Sequence, residues 1–336
     1  MTAPTRKREV GRGEKLLPGV WRVRLPLPWP GVPHCNAWAV AAGDGIVLFD
    51  TGMHEPGSMA NLERALDMVG LKVEHVRLLV CTHAHSDHYG QAATIVARAG
   101  CELWMHPDHR HMTAAVDDPD AAVERRLEVA RSAGVPDEPL RQWARARRGQ
   151  SPGIAGIVAP ARDLLPGVTV TTDVGPWEVV LTPGHAPSHV CLWQPERRLL
   201  ISGDHLLGRV SPYYDYGSTP DPAGEFLTSL DRVEALDARL CLPGHGRTFG
   251  DVEGHIAANR DLIAARLAAL EGVLREDGPV TAFDAVPRVF GEALTPLNAN
   301  WWLSETLCYL RHLEVTERLE RVASDDDGVE RWRAAA

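Results

Sequence analysis

The chain has 336 residues, of which 44% are hydrophobic and 24% are charged, and its formal net charge is −10 at pH 7. This composition is typical of a folded globular protein with room for one large domain and a smaller one. The negative charge argues against a general affinity for polyanions. Because no apolar run reaches about 18 residues and none follows the basic N-terminal residues, we predict a cytoplasmic protein with neither a membrane segment nor a secretory signal.

The six cysteines form no C-x-x-C pair. Cys81, Cys191 and Cys241 lie within apolar runs, as small buried core residues do. We therefore expect reduced thiols and a reducing compartment.

The first part of the chain alternates between predicted strands and helices. Residues 1–17 are polar, and we predict a flexible N-terminus there. Periodicity and turn residues then predict a strand at 20–27, a hairpin at 36–49, a helix at 58–69, a buried strand at 76–81, a helix at 90–99 and a strand at 102–105.

Residues 107–165 interrupt this rhythm. They contain sequence typical of two helices, near 119–133 and 137–148, and we interpret them as a helical cap insertion, because long insertions in compact domains are often functional. The later part of the domain returns to β periodicity, with predicted strands at 168–172, 177–181, 189–194, 198–202 and 239–242 and a helix at 225–236.

Residues 253–336 are predicted to be mostly helical, unlike the preceding domain, with helical stretches at 255–275 and 302–313 and a helix start near 280–284. From His255 onward the chain carries 9 Arg against 14 Asp and Glu, a net charge of −5. A nucleic-acid-binding domain would need a basic face. We therefore expect no nucleic-acid partner and interpret this region as a packing or dimerisation module, with a homodimer as one hypothesis.

The densest chemical signal is the stretch Thr82-His83-Ala84-His85-Ser86-Asp87-His88. It follows the predicted strand 76–81, so three imidazoles and a carboxylate leave the end of one strand on one loop. A divalent metal needs neutral nitrogen and anionic oxygen donors held close together by the backbone. This stretch therefore predicts a metal site.

The H-x-H-x-D-H motif resembles the signature of the metallo-β-lactamase superfamily. Four further motifs match that family in order and context: Asp50-Thr51-Gly52, Pro183-Gly184-His185, Ser202-Gly203-Asp204-His205 and Pro243-Gly244-His245-Gly246. The resemblance spans about residues 19–250 and implies an α/β (α+β) fold, the αββα sandwich, with helices on both outer faces. It further implies a hydrolase domain at 18–252 and, at 253–336, the small winged-helix-like domain found in a subgroup of the superfamily.

Carried over residue by residue, the resemblance implies a dinuclear site like that of glyoxalase II and related thioesterases. One metal would be held by His83, His85 and His185, the other by Asp87, His88 and His245, with Asp204 bridging them. The catalytic carboxylates would be Asp87, as a ligand, and Asp50, which orients a ligand histidine. Nitrogen-rich coordination without cysteine suits zinc, and iron or manganese stay open. The two metals would share a hydroxide that attacks the substrate.

The residues that contact substrate are harder to predict. Tyr213 and Tyr214 follow the Asp204 loop and could enter the pocket. The second predicted cap helix carries Arg141, Arg145 and Arg148 on one stripe, a pattern that could bind the phosphates of coenzyme A or an acidic carrier protein. The alternative for that stripe is a solvated helix face.

The predicted reaction is hydrolysis of a thioester or related carboxylic ester in a small-molecule or carrier-bound acyl substrate. A thiolate leaves readily without general-acid help, and no dedicated acid stands out in the sequence. The alternatives are a phosphodiesterase or endoribonuclease of the same superfamily, an iron-dependent persulfide dioxygenase, and a lactonase. Homoserine-lactone hydrolases of the superfamily commonly carry Tyr where this chain has Leu207, which counts against a lactonase.

Overall fold

Strands and helices make up most of the chain in the computed structural model, which describes residues 10–29, 31–292, 294–295, 298–322 and 328–335. The strands are β1 Arg12–Leu17, β2 Val20–Trp29, β3 Val32–Ala42, β4 Gly45–Phe49, β5 Val76–Val80, β6 Glu102–Met105, β7 Arg162–Asp163, β8 Thr169–Thr172, β9 Gly175–Leu181, β10 Val190–Gln194, β11 Leu199–Gly203, β12 Leu240–Pro243, β13 Leu319–Val322 and β14 Arg331–Ala334. The helices are α1 Ser58–Asp67, α2 Ser86–Tyr89, α3 Ala92–Ala99, α4 Arg110–Asp117, α5 Pro119–Ser132, α6 Asp137–Arg147, α7 Pro222–Glu234, α8 Val252–Asp277, α9 Ala282–Phe290 and α10 Ala299–Val315.

Two large sheets organise these strands. The first has the order β1-β2-β3-β4-β5-β6-β7 and the second the order β12-β11-β10-β9-β8. Strands β4 to β7 run parallel to one another, and β11 runs parallel to β12. The carboxyl ends of several neighbouring strands therefore lie together at one edge of each sheet.

The inner faces of the two sheets pack against each other in a continuous apolar core. Trp38 and Phe49 of the first sheet meet Trp177 and Ile201 of the second, and all four side chains are fully buried. The rings of Phe49 and Trp177 lie 5.7 Å apart. Burying one such side chain stabilises the fold by about 1.5–3 kcal/mol. The core thus joins the sheets into one rigid support for the loops at their edges.

Helices cover both outer faces. Leu62 and Leu66 of α1 and Ile95 of α3 pack on the first sheet, whereas Phe226 and Leu230 of α7 pack on the second. This arrangement confirms the predicted αββα sandwich.

The N-terminus differs from the prediction. Residues 1–9 lie outside the described part, but the expectation of a flexible segment up to residue 17 is wrong for Arg12–Leu17, which pair with β2 as an edge strand. A side chain at Gly13 would collide with the backbone oxygen of Ala65 in α1. Glycine therefore permits the close approach of β1 to that helix.

The insertion is helical, as predicted, and holds one helix more than expected, α4. The C-terminal end of its second helix, α5, is hydrogen-bonded to the C-terminal region. The backbone N–H of Phe283 donates to the Ala133 carbonyl, and that of Glu330 donates to the Ser132 carbonyl. The insertion therefore bridges the sandwich and the C-terminal helices.

In the described ranges, the C-terminal region contains the helices α8, α9 and α10, which the sequence pattern predicted, and the hairpin β13–β14, which it did not. The hairpin buries Trp332 against the helices. None of the helices in the described ranges is both long and apolar enough to cross a membrane.

Candidate metal centre

The loops at one edge of the sandwich bring the predicted metal ligands together. Asp50 follows β4, the stretch 82–88 follows β5, His185 follows β9, Asp204 follows β11 and His245 follows β12. Because these strands end at the same edge, side chains from distant parts of the chain converge on one small volume.

One cluster consists of His83, His85 and His185. The Nδ1 atom of His85 lies 3.1 Å from Nε2 of His83 and 2.9 Å from Nε2 of His185. The three nitrogens are all within 4.8 Å of one another, so they could hold one metal ion. We call this cluster the first ligand group.

A second cluster consists of Asp87, His88 and His245. Oδ2 of Asp87 lies 3.1 Å from Nε2 of His245 and 3.4 Å from Nε2 of His88. These atoms also lie within 4.8 Å of one another. We call this cluster the second ligand group.

Asp204 lies between the two groups. Its Oδ1 is 3.2 Å from Nε2 of His88, and its Oδ2 is 3.2 Å from Nε2 of His245 and 3.7 Å from Nε2 of His185. One carboxylate oxygen thus reaches both groups, which is the position that a bridging ligand needs.

Each of the five histidines is held through the ring nitrogen that faces away from the cluster. The partners are Thr82 Oγ1 for His83, Asp215 Oδ2 for His85, Asp50 Oδ2 for His88, the Tyr213 carbonyl for His185 and the His34 carbonyl for His245, at 2.8–3.0 Å. An outer oxygen partner of this kind fixes the tautomer and leaves the inner nitrogen as a lone-pair donor. The histidines are therefore arranged as metal ligands.

Asp50 occupies the position that the sequence analysis gave it. Its carboxylate accepts hydrogen bonds from the Thr82 backbone at 2.8 Å and from His88 Nδ1 at 2.9 Å. Its backbone is left-handed, with φ 65°, a strained conformation of the kind that clusters at functional sites. Asp50 thus ties the end of β4 to the loop after β5.

Burial and charge in the cluster fit a cation. His88 Nε2 and Asp204 Oδ1 are buried 3.2 Å apart, and neither atom has a hydrogen-bond partner elsewhere in the described part of the chain. Burial alone would raise the pKa of Asp204, but the imidazoles of His245 and His88 outweigh it and hold that pKa well below the usual carboxyl value. The carboxylate is therefore anionic, and a divalent metal would supply the compensating positive charge.

Steric crowding requires a glycine at position 244, in the Pro243-Gly244-His245 motif. A side chain at Gly244 would collide with Asp204 Oδ1 and would lie 2.7 Å from Cε1 of His88. Only glycine lets the backbone pass this close to the two ligands.

Asp215 and His111 were not predicted from the sequence. Oδ2 of Asp215 lies 2.8 Å from Nε2 of His85 and 3.4 Å from Nδ1 of His111, which also contacts the Ser188 hydroxyl at 2.9 Å. His111 lies on α4, so the cap reaches the metal loops directly. Asp215 is 130 residues from His85, and no local pattern marks it.

The two predicted substrate tyrosines have different positions. Tyr213 packs its ring 5.7 Å from that of His185. The prediction for Tyr214 is wrong, because its side chain is fully buried between Phe226 and Tyr309.

The predicted arginine stripe is exposed and largely paired on the cap itself. Arg141 pairs with Glu138 at 3.2 Å, and Arg148 pairs with Glu124. Within the described residues, no hydrogen bond or ion pair connects Arg141, Arg145 or Arg148 with the metal loops. These contacts are those of a solvated helix face.

A different part of the cap borders the site. A cleft of about 430 Å³ lies between α4 and α5 on one side and the metal loops on the other, lined among others by His111, Arg125, Pro187 and Gly217. Among the described residues no carboxylate pairs with Arg125. Arg110 and Asp108 also line the cleft, so it carries two arginines and one carboxylate next to Pro187, two residues after His185.

Comparison with known families agrees with this geometry. A sequence model of the metallo-beta-lactamase superfamily matches residues 30–245. The chain belongs to the metallo-beta-lactamase superfamily and is an enzyme of its hydrolase type.

Relatives and solved structures extend the likeness along the chain. The probable metallo-hydrolase YqjP of Bacillus subtilis is 24% identical and covers 91% of this chain and 94% of its own length. The crystal structure of the metallo-beta-lactamase family protein TTHA1429 from Thermus thermophilus has a TM-score of 0.80 and 26% identity, over 95% of this chain and 100% of that one. A beta-lactamase domain protein from Burkholderia ambifaria has a TM-score of 0.79 and 27% identity, over 96% of this chain and 93% of that one. The shared structure therefore includes the cap and C-terminal helices as well as the sandwich.

Proposed function

We propose that the protein is a dinuclear zinc hydrolase that cleaves a thioester or a related carboxylic ester. The observation that carries this proposal is the set of seven donors, the two ligand groups of three with Asp204 between them, in which each imidazole is oriented by an oxygen on its outer nitrogen. When bound, two such metals supply an activated water as nucleophile and polarise a carbonyl oxygen. The nitrogen-rich set without cysteine supports zinc.

The preference for a thioester rests on the carboxylates at the site. Asp87 belongs to the second ligand group, Asp204 contacts both groups, Asp50 is engaged by His88, and Asp215 is engaged by His85. None of these four is therefore free to protonate a poor leaving group. A thiolate leaves without being protonated, so a thioester needs no such acid.

The cleft beside the first ligand group supports an anionic substrate. Arg125 faces this cleft without a carboxylate partner among the described residues. Guanidinium groups bind phosphate and carboxylate through paired hydrogen bonds. A thioester of coenzyme A or of a phosphopantetheine-bearing carrier would place phosphate within reach of the cap.

The test is a substrate panel with zinc-loaded protein. We expect hydrolysis of an acyl-coenzyme A thioester and of an activated carboxylic ester, and little turnover of a homoserine lactone, a phosphodiester or single-stranded RNA. Preferred cleavage of the phosphodiester or the RNA would establish the nuclease alternative. Oxygen consumption with a persulfide by iron-loaded protein would establish the dioxygenase alternative.

We further propose that residues 253–336 form a winged-helix-like domain that does not bind nucleic acid. Three helices followed by the β13–β14 hairpin support the first part, and the net negative charge of this region supports the second. The six cysteines are all unpaired and buried, which supports the reducing cytoplasm as the compartment.

A further inference from the structure

A short segment, Tyr213–Tyr216, stands between the first ligand group and the C-terminal helices. The Tyr213 carbonyl accepts a hydrogen bond from Nδ1 of His185 at 3.0 Å, and the Asp215 carboxylate accepts one from Nε2 of His85 at 2.8 Å. The Asp215 backbone also donates to the carbonyl of His185 at 3.0 Å. This segment therefore orients two of the three imidazoles in the first ligand group.

Helix α10 holds the same segment from its other side. The Ser304 hydroxyl donates to the Tyr214 carbonyl at 2.8 Å and accepts from the Tyr216 backbone at 3.4 Å. The fully buried ring of Tyr214 also packs edge-on against Tyr309 of α10, with centroids 5.6 Å apart. The position of the segment thus depends on a helix that lies outside the αββα sandwich.

The second ligand group is supported differently. The loop that carries His245 is held by strands β2 and β3: Asn36 Nδ2 donates to the Pro243 carbonyl at 2.8 Å, and Arg22 donates to the Gly246 carbonyl at 2.6 Å. The outer nitrogen of His245 donates to the His34 carbonyl at 2.9 Å. Among the described residues, the hydrogen bonds to this loop come from the sandwich and not from the C-terminal helices.

We propose that the C-terminal domain acts as a clamp on the first metal position, through α10 and the segment Tyr213–Tyr216. Asp215 and Ser304 are positioning residues in this arrangement. The second position is independent of the clamp because the N-terminal strands support it. This inference rests on the proposed dinuclear site and adds that the two positions are controlled by different parts of the chain.

The first test removes the contact on α10. Zinc binding of full-length Ser304→Ala is measured by equilibrium dialysis against buffered free zinc, followed by elemental analysis. We expect one of the two zinc ions to bind roughly two- to tenfold more weakly, mainly because the 2.8 Å hydrogen bond to the Tyr214 carbonyl is lost, and the other to bind as in the unchanged chain. Thr306→Val is the matched control, since Thr306 is buried on the same helix and its hydroxyl has no partner among the described residues. It should leave both affinities unchanged.

The second test assigns the effect to a position. Asp215→Asn should weaken one zinc site roughly 10- to 100-fold, as the loss of an outer partner of a ligand histidine does. Combined with His185→Ala, which already disrupts the first group, it should cause little further loss, but combined with His245→Ala its effect should persist. Asn36→Ala should show the reverse pattern.

The inference is overturned if Ser304→Ala and Asp215→Asn both bind zinc like the unchanged chain, or if both zinc ions weaken equally. Neither result alters the proposed function, provided that the unchanged chain still binds two zinc ions and hydrolyses the thioester. If the unchanged chain binds one metal, the proposed function fails first.

Discussion

Asp50 shows how a single residue links backbone geometry to the ligand set. Its left-handed backbone turns the chain at the end of β4, and its carboxylate then accepts from both Thr82 and His88. A strained backbone conformation persists only where the surrounding structure enforces it. Asp50 therefore serves to position its carboxylate and does not stabilise the local backbone.

Asp50→Asn separates these two roles. Asparagine tolerates the left-handed backbone, so the fold should be retained. The neutral amide is a weaker acceptor for the His88 ring, and we expect zinc affinity at the second ligand group to fall roughly 10- to 100-fold. Competition with a chromophoric chelator measures the affinity, and thermal unfolding checks the fold.

The matched control for this variant is Asp44→Asn. Asp44 is exposed and pairs with Arg77 on the neighbouring strand, away from the metal loops. The control variant should bind zinc like the unchanged chain. Equal affinities for Asp50→Asn and Asp44→Asn would show that Asp50 does not orient His88.

At the residue scale, local motifs predicted all seven candidate ligands that the fold brings together, because each one lies shortly after a strand and within a characteristic short sequence. Asp215 and His111 escaped prediction because their roles depend on contacts across the fold. Asp215 contacts His85 from 130 positions away. Tyr214 was predicted wrongly for the same reason, since its sequence neighbours do not reveal that α7 and α10 bury it.

At the scale of elements, regular apolar periodicity identified the main strands and helices. Two elements that the pattern missed, β1 and the β13–β14 hairpin, are short and rich in charged residues. Their strand structure depends on pairing partners and not on their own periodicity. The cap was predicted as helical, but the sequence could not show which of its helices faces the metal loops.

The cap can be tested with two variants that preserve metal binding. Arg125 lines the cleft, so Arg125→Ala should raise KM for an acyl-coenzyme A thioester on the order of tenfold. Turnover of a small activated ester without phosphate should hardly change, because a contact with a remote substrate group does not act on the reacting bond.

The comparison variant combines Arg145→Ala with Arg148→Ala. Because Arg148 already pairs with Glu124, we expect a smaller change in KM than for Arg125→Ala. A larger increase in KM for the double variant than for Arg125→Ala would indicate that the arginine stripe, and not the cleft, contacts the substrate.

Helix α8 allows a test of local stability. Gly272 lies within this helix, and a side chain there would meet no atom within 4 Å. Gly272→Ala should therefore increase the free energy of unfolding by about 0.5–1 kcal/mol, measured in a denaturant titration. Gly291→Ala is the opposite case: Gly291 also has open space but ends α9 with φ 72°, so alanine there should be destabilising. A loss of stability in Gly272→Ala would contradict this account of the helix.

At the scale of the whole molecule, the metal centre is the meeting point of three parts of the chain. The sandwich supplies the candidate ligands and supports the His245 loop through β2 and β3, and the C-terminal helix α10 supports the segment that carries Asp215. The cap adds His111, which contacts Asp215 and Ser188. Sequence motifs predicted the centre of this assembly, whereas the supporting contacts became visible only in the folded chain.

A zinc titration of chelator-stripped protein, with acyl-coenzyme A hydrolysis as the readout, tests most directly whether the protein is a dinuclear metal-dependent hydrolase. The two ligand groups, with Asp204 between them, predict no hydrolysis without metal and a rate that rises until about two zinc ions are bound per chain. Elemental analysis of the same samples gives the stoichiometry. A hydrolysis rate that is independent of metal, or a rate that reaches its maximum at one iron per chain, would contradict a dinuclear zinc hydrolase.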